Sequence, residues 1–281
     1  NITLVAGYTV NQFTVTFDAV GGTPVPTDQT VAYSGKATLP TAPAKAGHTF
    51  TGWTLNGQPY DFNAPVTGNI TLVAAYTVNN YTVKFDTVGG TPVPTDQTVA
   101  YSGKATLPTA PAKAGHTFTG WTLNGQPYDF NAPVTGNITL VATYTVNNYT
   151  VKFDTVGGTP VPTDQTVAYS GKATLPTAPA KAGHTFTGWT LNGQPYDFNA
   201  PVTGNITLVA TYTVNNYTVK FDTVGGTPVP TDQTVAYSGK ATLPAAPAKA
   251  GHTFTGWTLN GQPYDFNAPV TGNITLVAGY T

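Results

Sequence analysis

The sequence repeats itself every 68 residues, nearly letter for letter. The segment that opens Asn1-Ile2-Thr3-Leu4-Val5 returns at Asn69, Asn137, Asn205 and Asn273. The four tryptophans (Trp53, Trp121, Trp189, Trp257) keep the same step, and so do His48, His116, His184 and His252. A fixed period of this size means an array of equal structural units. It argues against one large domain built around one asymmetric site, which is what an enzyme needs. An array instead multiplies either length or weak contacts. The repeats divide as residues 12–79, 80–147, 148–215 and 216–281, and residues 1–11 match the last strand of a preceding repeat. The 281-residue chain begins and ends inside the pattern, so it reads as part of something longer.

A unit of this size buries a limited core and is marginal without staples or neighbours. There is no Cys, so neither disulfides nor thiolate metal sites supply a staple. Charged residues are 8% of the chain, far below the roughly 25% of ordinary domains. Every acid is Asp and every base is Lys. A net charge of −1 leaves no basic surface for nucleic acid and no polybasic patch for lipid. No apolar run approaches the roughly 18 residues of a membrane span, and no signal peptide is recognisable.

The second repeat serves as the specimen. Tyr81-Thr82-Val83-Lys84-Phe85-Asp86 alternates strictly, the pattern of a half-buried strand. Val88 to Asp96 holds two Gly and two Pro and must be a stiff loop. Gln97 to Tyr101 is a second short strand, broken by Ser102-Gly103. Leu107 to Gly115 is a Pro-punctuated connection, extended and pinned by Leu107. His116 to Leu123 is a third strand, and Asn124-Gly125 supplies the two left-handed residues of a type I′ hairpin. Tyr128 and Phe130 follow as alternate apolar positions, and Asn131 to Val134 is a capped turn with room for one helical turn. Ile138 to Val146 closes the repeat as a long strand. No helix of ordinary length fits, so the fold is mainly β.

The junction between repeats is short: only Asn79-Asn80 separates Val78 from Tyr81. Asn-Asn could make a hairpin turn, or the chain could run straight on into the next repeat. The first junction is Asn11-Gln12, and Gln tolerates a left-handed conformation poorly. That favours the straight junction and an elongated, semi-rigid rod.

These motifs carry a resemblance. Tyr-Thr-Val-Lys-Phe-Asp with Gly-Gly, Val-Ala-Tyr-Ser-Gly-Lys, Gly-His-Thr-Phe-Thr-Gly-Trp and Pro-Val-Thr-Gly-Asn-Ile-Thr-Leu-Val-Ala resemble the Listeria–Bacteroides repeat, the B-repeat type of internalin-like surface proteins. The resemblance covers essentially the whole chain. It implies a small β-grasp-like α+β unit with little helix, strung in tandem on secreted or wall-anchored bacterial proteins as spacer, stalk or adhesive module. The absence of Glu and Arg departs from many members of that family.

Candidate chemistry is sparse. Trp53 with Tyr60, Trp121 with Tyr128, Trp189 with Tyr196 and Trp257 with Tyr264 could form aromatic platforms for a sugar ring, against the plainer reading of Trp as core. One His per repeat with scattered Asp makes a poor metal shell, so no metal and no cofactor is expected. No catalytic residue is assigned, since Ser102 lies in a turn with no His nearby in sequence. Lys84, Lys152 and Lys220 align with Thr16, so a lysine cross-link at that position could not recur in every repeat. Asn69-Ile-Thr and Asn80-Tyr-Thr match the N-glycosylation pattern, as expected in so Thr-rich a chain. The reading is therefore a monomeric, non-enzymatic, extracellular array on a bacterial surface. It acts as a stalk for a distal binding domain or, alternatively, as a multivalent module binding host glycan or matrix protein. Its other partners are its own neighbouring repeats.

Overall fold

Within the four repeats strict alternation becomes strand in the computed structural model, which describes residues 2–281. The first repeat holds β1 (Gln12–Asp18), β2 (Gln29–Ala32), β3 (His48–Leu55), β4 (Gln58–Pro59) and β5 (Ile70–Val78). The second holds β6 (Asn80–Asp86), β7 (Gln97–Ala100), β8 (His116–Leu123), β9 (Gln126–Pro127) and β10 (Ile138–Val146). The third holds β11 (Asn148–Asp154), β12 (Gln165–Ala168), β13 (His184–Leu191), β14 (Gln194–Pro195) and β15 (Ile206–Val214). The fourth holds β16 (Asn216–Asp222), β17 (Gln233–Ala236), β18 (Phe254–Leu259), β19 (Gln262–Pro263) and β20 (Ile274–Tyr280). Each repeat thus makes its own five-stranded sheet, and no helix occurs among the described residues. The chain divides into two compact halves, Asn1–Thr145 and Val146–Thr281.

The sheet order is β2-β1-β5-β3-β4 in the first repeat, and the other three follow it. The last strand of the repeat is therefore central. It pairs parallel with β1 from Val15↔Ile70 to Asp18↔Val73, and antiparallel with β3. Asn56 and Gly57 both take positive φ, as the expected type I′ turn between β3 and β4 demands. One face of the sheet is the core: Val15, Phe17, Val31, Trp53, Leu72 and Ala74, joined by Ala37 and Val66 from the connections. The other face is threonine, with Thr16 Oγ1 2.8 Å from Thr71 Oγ1. Paired hydroxyls let so weakly charged a chain keep a polar surface.

Irregular chain, not helix, covers the core. Ser34 N–H donates to the Val66 carbonyl at 2.9 Å and Val66 N–H to the Gly35 carbonyl at 2.8 Å, tying the two connections together. The Gln29 side chain completes the tie at the β2 edge. Its Nε2 donates to the Thr38 carbonyl (2.6 Å) and its Oε1 accepts from Thr38 N–H (2.7 Å). The same clamp recurs at Gln97, Gln165 and Gln233. Val20, Val88, Val156 and Val224 sit at φ near +50, costly for a β-branched residue, and Asp18 Oδ1 holds the first by accepting from Val20 N–H at 2.8 Å.

Three local expectations change. Leu107 does not pin the Pro-punctuated connection; it is 65% exposed, and Ala105 and Pro111 are the buried anchors. The α+β description with one helical turn at Asn131–Val134 gives way to a plain turn. Ala132 N–H reaches the Asp129 carbonyl and Asn131 N–H the Asp129 side chain, and Pro133 has no N–H to continue a helix. Residues 2–10 form no strand.

Candidate functional site

The candidate aromatics come from the end of β3 and the chain after β4. Trp53 points into the core at 3% exposure, with Phe17 edge-on at 5.0 Å and Phe50 at 5.7 Å. Trp121, Trp189 and Trp257 are equally buried, each beside the equivalent pair of phenylalanines. None of the four indole N–H groups has a hydrogen-bond acceptor. A sugar could stack on these indoles only if the covering chain moved.

Tyr60 is half-buried, its ring edge-on to Phe62 at 4.9 Å and its N–H donating to the Trp53 carbonyl at 2.9 Å. The structure thus brings each Trp–Tyr pair together across the hairpin. In the fourth repeat, Trp257 and Tyr264 line a groove of about 560 Å³ with Leu243, Phe254 and Phe266. The hydroxyls of Tyr128 and Tyr264 are buried without a partner.

Burial raises the phenol pKa of Tyr60, Tyr128, Tyr196 and Tyr264 above 10, and the adjoining aspartate of each adds to the rise. Burial alone raises Tyr76, Tyr144 and Tyr212. A phenol whose folded pKa is raised contributes stability that is complete below the unfolded value and lost as pH rises through the folded one. The melting midpoint should therefore show no tyrosine-linked loss through neutral pH and should fall above about pH 10. Thermal unfolding followed from pH 7 to about pH 11 checks this; an unchanged midpoint at the top of that range would contradict it.

The remaining candidates serve the fold. His48 Nδ1 lies 2.8 Å from the Ala46 carbonyl, and no group of three or more His or Asp side chains able to hold a metal occurs among the described residues. Lys45 Nζ donates to the Val20 carbonyl at 3.0 Å and sits 5.2 Å above the Tyr76 ring. Asn69 Oδ1 accepts from Thr14 N–H at 2.8 Å, joining the two ends of a repeat. Ser102 occupies a left-handed turn, its N–H on the Val134 carbonyl.

One site escapes the reading of spacing altogether. Within the first half, β5 and β6 lie in different sheets with Asn79 alone between them, so the chain passes from one sheet into the next and does not fold back as a hairpin. Tyr101 of the second repeat seats against Gly47 and His48 of the first. A Cβ on Gly47, itself at φ +67, would fall 1.9 Å from the Tyr101 ring. The His48 and Tyr101 rings meet edge-on at 6.0 Å. Asn79 pins the contact: its N–H donates to the Gly47 carbonyl (2.9 Å), its carbonyl accepts from Tyr101 N–H (2.8 Å), and its Oδ1 accepts from Thr49 Oγ1 (2.7 Å). The second half repeats this with Gly183, His184, Asn215 and Tyr237. The period places a Gly-His pair and a Tyr-Ser-Gly turn in every unit, but nothing in it says they touch across the boundary.

The Listeria-Bacteroides repeat domain profile matches residues 13–75, 81–143, 149–211 and 217–279. A putative Gly-rich membrane protein of Evansella cellulosilytica is 34% identical over 91% of this chain and 31% of its own length. A putative membrane protein of the same organism is also 34% identical, over 91% of this chain and 40% of its own. Internalin H of Listeria monocytogenes is 37% identical over 62% of this chain and 34% of its own. The chain thus spans well under half the length of these curated relatives. No helix among the described residues is long and apolar enough to cross a membrane.

Proposed function

The chain belongs to the Listeria-Bacteroides repeat family, and we propose that it is the repetitive stalk of a bacterial cell-surface protein, holding a distal binding domain away from the cell. The observation that carries this reading is the junction: one residue between sheets, with a tyrosine of one repeat seated on the glycine of the last. A clamped junction supplies stiffness and repeat number supplies length. The Evansella relatives, described as putative membrane proteins, support a location at the cell surface. The strand order, with parallel β1 and β5 at its centre, supports a β-grasp-like unit whose helix is replaced by Pro-punctuated chain. No step of this role is catalytic.

Four repeats placed end to end would extend on the order of 130 Å, at roughly 33 Å for each ten-residue strand. Small-angle scattering of the purified chain tests this. A maximum dimension of that order supports the stalk, whereas the radius of gyration of one compact domain of this length, about 19 Å, would sink it. One observation favours a second reading, a multivalent adhesive module. The aromatic groove at Trp257 and Tyr264 is rimmed by the exposed Leu243, and the same residues recur in every repeat.

A further inference from the structure

The chain enters and leaves each repeat by two strands that lie side by side. In the second repeat it comes in on β6 and goes out on β10, and these pair parallel from Val83↔Ile138 to Asp86↔Val141. β7 lies outside the pair on one side, β8 and β9 on the other. Because both strands run the same way, β6 receives the chain at one end of the pair and β10 passes it on at the other. Tension along the chain therefore draws β6 backwards and β10 forwards, sliding one along the other. The bonds of a parallel ladder are evenly spaced across the gap between the strands, so they share such a load and must fail together. A pull that separated the strands from one end would open them one at a time. The same pair recurs as Val15↔Ile70 to Asp18↔Val73, Val151↔Ile206 to Asp154↔Val209, and Val219↔Ile274 to Asp222↔Val277.

A side chain lengthens the ladder. One residue before Val83↔Ile138, Thr82 N–H donates to Asn137 Oδ1 at 2.8 Å. Asn69 holds Thr14 and Asn205 holds Thr150 at the same distance, and Asn273 holds Thr218 at 2.9 Å. Each bond ties the chain just ahead of the outgoing strand to the incoming one, so it is loaded with the ladder. Val83 and Leu140 beneath the pair are fully buried, which keeps water from replacing these bonds on the core side.

We propose that this strand pair is a clamp that resists tension along the chain in every repeat, with Asn69, Asn137, Asn205 and Asn273 as its side-chain locks. The stalk reading supplies the source of the tension, a distal domain pulled away from the cell; the clamp follows from the pairing itself. Asn79 alone separates β5 from β6, so load passes from one clamp to the next without slack. Under excess load the repeats yield one at a time, each releasing on the order of 200 Å of chain at roughly 3.3–3.6 Å per extended residue.

Single-molecule pulling tests this, and the absence of Cys makes introduced cysteines unique points of attachment. Asn80→Cys with Thr145→Cys loads the pair lengthwise, whereas Asn80→Cys with Thr135→Cys grips both strands at the same end and peels them apart. All three residues are exposed. The lengthwise rupture force should be several-fold the peeling force. In the lengthwise pair, Asn137→Ala should lower the force by about the share of one bond in the ladder, and Asn137→Asp, which keeps the acceptor, should retain it. Equal forces in the two directions would overturn the clamp, and an Asn137→Ala force equal to the parent's would overturn the lock. A direction-dependent force in a chain that scatters as one compact domain would sink the stalk and leave the clamp standing.

Discussion

Trp121→Ala is expected to unfold the second repeat and leave the third and fourth folded. Trp121 is 4% exposed and wedged edge-on between Phe85 at 5.1 Å and Phe118 at 5.7 Å. Truncating a buried Trp to Ala costs about 3–5 kcal/mol. At roughly 0.05–0.15 kcal/mol per residue, a unit of this size has a total stability of about 3–10 kcal/mol. The loss therefore consumes most of the margin, and there is no disulfide to compensate. Hydrogen exchange resolved by repeat should show loss of protection in β6 to β10 and retention in β11 to β20. Trp121→Phe should cost less, because no indole hydrogen bond is lost. A Trp121→Ala chain with unchanged protection would mean that the residue is a surface platform and not the keystone of the core.

Gly47→Val carries the next largest effect, and the chain contains its own control. At Gly47 a side chain meets two penalties: a left-handed φ of +67, and a Cβ that would fall 1.9 Å from the Tyr101 ring. At Gly251 the φ is +75 but no atom lies within 4 Å, so Gly251→Val suffers the backbone penalty alone. That shared penalty is about 1–2 kcal/mol. The difference between the two variants isolates the clash, and overpacking of this kind costs about 1–3 kcal/mol more. Since Tyr101 can swing away, the expected outcome is an opened junction. The first two repeats should then tumble more independently in NMR relaxation, and Tyr101→Ala should reproduce this without backbone strain. Equal effects of Gly47→Val and Gly251→Val would mean that the Tyr101 contact contributes nothing to the coupling.

What was legible in the sequence is what depends on neighbours along the chain. Alternation gave β6 from Tyr81, Val83 and Phe85, and Asn124-Gly125 gave the hairpin between β8 and β9, because both signals are local. The parallel pairing of β6 with β10 was not legible, since strands 55 residues apart in sequence carry no mark of which neighbour they choose. Leu107 misled because an apolar residue among prolines looks like an anchor, while the smaller Ala105 and Pro111 fit the space over the sheet. Residues 2–10 show the same point from the other side. Their sequence is that of a strand, yet they form none, since alternation chooses a face and only pairing makes the strand. For the candidate site, pairing each Trp with its Tyr followed from the hairpin. The junction did not, because Gly47 and Tyr101 belong to different repeats.

The central claim is that this array supplies length and stiffness, not recognition. The most direct test is binding of the purified four-repeat chain, beside a one-repeat chain, to immobilised host glycans and matrix proteins. The stalk account predicts no binding by either at high micromolar concentration. Binding that strengthens steeply with repeat number, by the factors of about 10²–10⁴ that multivalency allows, would contradict it and make the groove at Trp257 and Tyr264 the site to mutate first.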